Sequence, residues 1–153
     1  MPAGCTVAGG SGPLIMPARR AARGGTRGTV CRDVARLRIE DAASLHDNDR
    51  HNGAIYLAGY AVECQLKFAY CRRKGEIYLP ENLEVHDWEK LVSAAGLLPN
   101  IKGQPAMDAV YSSLVDQWGP SLRYRTARYA TSVANRLYNG MKQLYRFLNE
   151  LVP

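Results

Sequence analysis

The sequence predicts an all-α protein, an up-and-down helical bundle of four main helices plus one short helix. Two observations carry that expectation, and a third excludes the alternative. Leu137, Met141, Leu144, Leu148 and Leu151 are spaced four, three, four and three, a continuous inward seam. The run Ile55-Tyr56-Leu57-Ala58-Gly59-Tyr60-Ala61-Val62 is apolar all round, which marks a helix buried on most sides. No segment alternates apolar and polar residues over the length of a strand.

The elements follow in order. A first helix is expected over about Cys31 to His46, with Val34, Leu37 and Leu45 on one side and Ile39 and Ala42 beside them. His46-Asp47-Asn48-Asp49 is a polar break. The second helix runs from about Asn52 to Lys74, where Arg72-Arg73-Lys74 followed by Gly75 is the expected C-terminal end. Residues 76–85 read as a loop punctuated by Pro80 and Asn82. A short helix starts at Asp87, a side chain suited to N-capping, and ends at Gly96. Residues 99–103 read as a further loop. Pro105 opens the fourth helix, with Met107, Val110, Leu114 and Trp118 facing inward, and Gly119-Pro120 stops it. The last helix is expected over about Ala127 to Leu151, placing Arg128, Lys142 and Arg146 on one outward basic stripe.

At 153 residues the chain is expected to form one domain that can bury a core without disulfide staples. The composition divides it in two. Residues 1–28 hold seven of the 14 glycines, three of the eight prolines, four arginines and no acid, and are expected to be a disordered basic extension. Such an arm suits nucleic acid; the alternatives are an idle tail or residues upstream of a true start at Met16. Residues 29–153 are expected to be the bundle. The longest apolar run, Gly53 to Val62, is half the ~20 residues of a membrane span, and no signal-peptide stretch opens the chain. A cytoplasmic protein is therefore expected. The formal charge of +6 is unevenly spread. Residues 76–116 carry seven acids against Lys90 and Lys102, whereas residues 117–149 carry six bases and no acid.

Several chemistries fail on spacing. Cys5, Cys31, Cys64 and Cys71 contain no C-x-x-C pair, and Cys64 and Cys71 lie ~10 Å apart along one helix, too far to bridge. They read as small buried hydrophobes, in keeping with a reducing compartment. Asp47 to Ala58 lacks the Gly and the closing acid of a calcium loop. His46, His51 and His86 lack helical zinc spacing, and no phosphate-binding or nucleophile-elbow fingerprint is present. No cofactor or metal is implied.

Two features remain. Glu63 sits in the apolar helix and requires a partner if buried; Lys67 stands four residues on, and Arg123 or His86 can reach it from another element. Such a pairing either fixes helix register or marks a ligand cleft. The stretch Leu122-Arg123-Tyr124-Arg125-Thr126-Ala127-Arg128-Tyr129 interleaves guanidinium groups with aromatic rings. Arginine grips phosphate in a bidentate way and tyrosine stacks on bases, the chemistry of a single-stranded RNA or nucleotide contact. The plainer alternative is a solvated helix start paired with the acidic 76–116 stretch of the same or a neighbouring chain.

Residues 53–67, Gly-Ala-Ile-Tyr-Leu-Ala-Gly-Tyr-Ala-Val-Glu-Cys-Gln-Leu-Lys, resemble the signature helix of HEPN domains (higher eukaryotes and prokaryotes nucleotide-binding). Val34-Ala-Arg-Leu-Arg-Ile-Glu-Asp-Ala, His86-Asp87-Trp88 with the helix after it, and Trp118 followed by Leu122-Arg123-Tyr124 are similar to the same bacterial branch. The likeness spans about 31–151. It implies a helical bundle, frequent homodimers, and one of two roles. Many HEPN proteins are metal-independent ribonucleases using Arg, four to six residues, then His; others are non-catalytic partners of nucleotidyltransferases, or nucleotide- or RNA-binding modules. No Arg-x(4–6)-His occurs here: Arg38 and His46 have seven residues between them, and Arg73 and His86 have twelve.

The expectation is therefore a non-catalytic HEPN-like nucleotide- or RNA-binding module, a homodimer, and a possible partner of a nucleotidyltransferase in a bacterial toxin–antitoxin or defence unit. Its expected binding surface joins Tyr60, Glu63, Lys67, His86, Arg123, Tyr124 and Arg128. The alternatives are a divergent ribonuclease using His86 with Arg123, or His51 with a nearby Arg, and a pure protein-interaction module.

Overall fold

The apolar run beginning at Gly53 becomes the axis of the molecule. The computed structural model of the chain describes residues 25–153, and these form an all-α bundle. Helix α1 spans Gly28–Asp47 and α2 spans His51–Lys74. Only three residues join them, so they run antiparallel side by side. Thirteen of the 24 residues of α2 are buried, because α1, α3 (Trp88–Ala94) and α6 (Thr131–Leu151) all pack against it. Helix α4 (Leu98–Lys102) packs on α5 (Pro105–Leu114), which closes the bundle against α6. Single 3₁₀ turns, Glu81–Leu83 and Pro120–Tyr124, sit in the connections. No described helix is long and apolar enough to cross a membrane.

Local chemistry explains the helix ends. Gly75 takes a left-handed φ of 71° after the basic turn of α2, as its sequence predicts. The Asp87 carboxylate accepts a hydrogen bond from the Lys90 N–H at 3.0 Å and caps α3. The seam of α6 is inward, with Leu137, Met141, Leu144 and Leu148 at most 2% exposed.

Four expectations are corrected. Leu37, expected inward, is 47% exposed. The buried face of α1 consists instead of Gly28, Cys31, Ala35 and Ala42, small residues that let α1 lie close on α2; a Cβ on Gly28 would fall 2.6 Å from that of Cys71. Of residues 99–103, expected as a loop, 99–102 belong to α4, anchored by the fully buried Ile101. Helix α5 ends at Leu114, and Trp118 turns back onto α2, its indole N–H donating to the Tyr56 carbonyl at 3.0 Å. Helix α6 begins at Thr131, so Arg128 precedes it and does not share an outward helical stripe with Lys142 and Arg146.

The expected disordered extension lies outside the described residues over 1–24. Residues 25–28 are held against the 77–79 segment: Leu79 N–H donates to the Thr26 carbonyl at 2.8 Å and Gly28 N–H to that of Ile77 at 3.0 Å. The folded unit therefore includes residues before 29.

Gly59 is where α2 meets Trp118. A Cβ there would lie 2.0 Å from the indole Cδ1, and the indole is stacked on Trp88 at 5.3 Å. Gly59→Ala is expected to destabilise the protein by about 1–3 kcal/mol through overpacking, despite the better helix propensity of alanine. Urea unfolding followed by circular dichroism checks this; an unchanged midpoint would refute the contact.

Candidate functional site

Glu63 is completely buried, and the side chains of a lysine and a histidine meet its carboxylate. Lys67 Nζ donates to Oε1 at 2.6 Å from the next turn of α2. His86 Nδ1 lies 2.9 Å from Oε2, reaching in from the loop before α3. Of the two partners the sequence offers from another element, the structure uses His86 and not Arg123. Lys67 is nearly buried and His86 is half exposed, with Nε2 as its free ring nitrogen. Tyr60 and Lys67 line a neighbouring cavity of about 210 Å³ with Cys31, Cys64 and Leu79. Burial pushes the Cys31 thiol up to about 11 and that of Cys64 to about 12, the Glu63 charge adding to both. The Tyr60 hydroxyl rises to about 12, chiefly by burial and then through Cys64.

The expected binding surface is thus divided. Tyr60, Glu63, Lys67 and His86 come together; Arg123, Tyr124 and Arg128 do not join them. Arg123 is exposed on the 120–124 turn, its guanidinium 5.0 Å over the exposed ring of Tyr124. Arg128 lines a second and larger cleft of about 610 Å³, formed where α2 and α6 begin. His51, in that cleft, and Glu63 are twelve residues apart on α2, about 18 Å along its axis.

The cleft is built from the polar break and the arginine-rich segment. Arg50, His51, Asn52 and Gly53 form one side, and Thr126, Arg128, Tyr129 and Thr131 the other. Asn52 fastens the two. Its amide nitrogen donates to the carbonyls of Ala127 at 2.9 Å and Arg125 at 3.2 Å, and its oxygen accepts from the Tyr129 N–H at 3.4 Å. These bonds engage the backbone that would otherwise start α6 earlier, which is why the helix begins four residues later than its composition predicts. The Arg125 guanidinium stacks over Tyr129 at 4.1 Å. Among the described residues Arg123, Arg125 and Arg128 form no ion pair, so the expected pairing with the acidic 76–116 stretch of the same chain does not occur.

The two helices that begin at the cleft lack a side-chain cap, as α1, α4 and α5 also do. Arg50 and Ala130 hold the N-cap positions of α2 and α6 and neither makes a capping bond. The side chain of His51 is 13% exposed, and its Nδ1 is buried with no partner. Arg50, Asn52 and Tyr129 were not among the expected binding residues. An Arg-His-Asn triplet directly after a polar break is the signal that could have marked two of them. Among the described residues no cluster of three or more His, Cys, Asp or Glu side chains could hold a metal ion. Comparison with protein-family models, with curated proteins and with solved structures returns no match to this chain.

Two predictions follow from the Glu63 cluster. Glu63→Ala strands a nearly buried ammonium and is expected to destabilise by about 3–5 kcal/mol, with much of the loss recovered by adding Lys67→Met. His86→Ala is expected to lose less, since water already screens half the ring, and Arg123→Ala to leave stability unchanged. Denaturant midpoints of the variants test that order, and a large loss in Arg123→Ala would overturn it. The raised Cys31, Cys64 and Tyr60 groups stay protonated in the folded chain after the unfolded chain has ionised. Their stabilising contribution is complete below about pH 8.5 and is lost as pH rises through about 11–12. Urea midpoints should therefore fall between pH 9 and 11, and fall less steeply in Cys64→Ala.

Proposed function

We propose that this chain is a non-catalytic, HEPN-like nucleotide- or RNA-binding module whose contact surface is the cleft between the starts of α2 and α6. One observation carries the reading: Arg50 and Arg128 line the same cleft, as does Tyr129, over whose ring the Arg125 guanidinium stacks. Guanidinium groups free of acidic partners suit phosphate, and a guanidinium plane or an exposed ring such as Tyr124 suits a base. In this reading the Glu63–Lys67–His86 cluster fixes the register of the bundle and does not contact ligand. The resemblance of residues 53–67 to the HEPN signature helix supports the family assignment, and with it a cytoplasmic homodimer or the partner of a nucleotidyltransferase in a toxin–antitoxin or defence unit.

A second reading, a divergent metal-independent ribonuclease, is favoured by the position of His51 beside Arg50 and Arg128. An imidazole for acid–base transfer and a guanidinium for phosphate charge are the groups that cleavage at a 2′-hydroxyl needs. His86, the other histidine considered, stands in the Glu63 cluster and not in this cleft, and has no comparable arginine pair.

Full-length protein is to be incubated with single-stranded RNA in chelator over a salt series. The expected outcome is binding without cleavage, with log K falling by about 0.7 per phosphate contact for each unit of log salt. Arg50→Ala and Arg128→Ala should weaken binding and flatten that slope, whereas Arg146→Ala, on the exposed face of α6, should not. Equal binding by all three variants would remove the cleft as the site. Cleavage that disappears in His51→Ala would establish the enzyme reading instead.

A further inference from the structure

We propose that the apolar and acidic outer face of α1 is the docking site of the chain's own N-terminal segment, which seats Leu14-Ile15-Met16 on Val30, Val34 and Leu37. This docking does not depend on the RNA-binding reading.

Val30, Val34 and Leu37 are spaced four and three, so they fall within about 60° of one another around the helix. Val30 is 46% exposed and Leu37 47%, with Val34 half-buried between them. The small residues that pack α1 on α2 lie elsewhere on the helix, and no described element covers this stripe. At its Val30 end the stripe runs into a cavity of about 210 Å³, lined by Val30, Val34, Tyr60 and Leu79 together with Thr26 and Glu84. A continuous apolar face of this kind suits a partner.

The course of the chain selects the occupant. Residues 1–24 lie outside the described residues, and they join the fold at the rim of this cavity. The Thr26 N–H donates to Glu84 Oε1 at 3.1 Å, and its carbonyl accepts from the Leu79 N–H at 2.8 Å. Gly25 passes so close that a Cβ there would stand 1.9 Å from the Leu79 carbonyl oxygen and 3.3 Å from Glu84 Oε1. The residues before it therefore meet the fold beside Glu84 and the start of α1. Met16 precedes Gly25 by a stretch of chain that can span ~30 Å, and α1 is itself ~30 Å long. The whole stripe is within reach. Leu14-Ile15-Met16 is the one run of three large apolar residues in 1–24.

Charge supports the same match. Arg19, Arg20 and Arg23 lie between that run and the fold, and residues 1–24 hold no acid. Asp33, Glu40 and Asp41 flank the stripe, and Glu84 stands at the cavity rim. Among the described residues Glu40 and Glu84 make no ion pair. Asp33 pairs with Arg32 and Asp41 with Arg38 along the helix, exposed contacts that water screens and an incoming arginine can share. Lys67, the cation on the cavity lining, is already bonded to Glu63. An apolar run followed by three arginines thus meets an apolar stripe flanked by acids.

The test places cysteines in the full-length chain, with Cys5→Ser to remove the remote native thiol. Ile15→Cys is combined with Val34→Cys, on the stripe, or with Arg32→Cys, on the opposite side of α1, and each pair is oxidised. The expected result is a disulfide within one chain, unchanged by dilution, forming about tenfold faster at Val34→Cys, as the higher local concentration of a docked segment requires. Limited trypsin digestion gives an independent reading. Cleavage after Arg19, Arg20 and Arg23 should be severalfold slower in the unaltered chain than in Leu14→Asp/Ile15→Asp. Circular dichroism melts confirm that each variant folds. Equal crosslinking at the two positions, or equal cleavage of the two chains, would overturn the docking. Disulfides that join two chains and vanish on dilution would give the face to a second copy and overturn it equally.

Discussion

A single carboxylate in the middle of the core constrains much of this fold. Glu63 is fully buried on a helix packed on several sides, and an isolated charge there would be prohibitive. Lys67 supplies a neutralising partner from one turn away, at no cost in topology. His86 is different, because using it ties the long connection after α2 back onto that helix. The next residue, Asp87, caps α3; Trp88 then enters the core and stacks on Trp118, which bonds to the Tyr56 carbonyl of α2. The 120–124 turn and the arginine-rich segment follow directly. A buried ion cluster need not add net stability over an apolar equivalent. What this one does is select a single placement for the chain between α2 and α6.

Several local irregularities lie at the start of α2. Two long helices lack caps, Asp49 has a left-handed backbone, and His51 carries an unpartnered buried nitrogen, all around one cleft. Comparable departures occur elsewhere: α1, α4 and α5 also lack a side-chain cap, and Gln65 Oε1 and Trp88 Nε1 are buried without a partner, while Asp87 caps α3 and Gly75 and Gly96 take the positive φ at helix ends.

The sequence carried the helices better than the surface. Periodicity identified α2 and the seam of α6 because burial there depends on spacing alone. It missed the small-residue face of α1, since alanine is apolar but leaves no strong stripe, and Leu37 was placed inward in its stead. It overran the start of α6 because Asn52, some 75 residues away, takes the carbonyls of Arg125 and Ala127. No local preference reports such a bond. The same long-range clamp explains the divided binding surface. Charge and burial bring Glu63, Lys67 and His86 together; composition adds Arg128 to them, but the fold carries it to the start of α2.

That separation gives the middle and the start of α2 different physical duties. At Glu63 every charge is met from within the chain, so the cluster has little left to offer a ligand beyond the free nitrogen of His86. At the cleft the donors outnumber their partners, and missing caps typically leave a helix about 1 kcal/mol less stable. An anion bound there would do what the absent cap residues do, for α2 and α6 together. Its binding energy and the ordering of the two helix starts would then be one quantity, since a ligand that binds only the folded cleft stabilises the fold by mass action. Asn52 makes the coupling mutual: by holding the 125–129 backbone to the first turn of α2, it fixes the start of α6 against the start of α2.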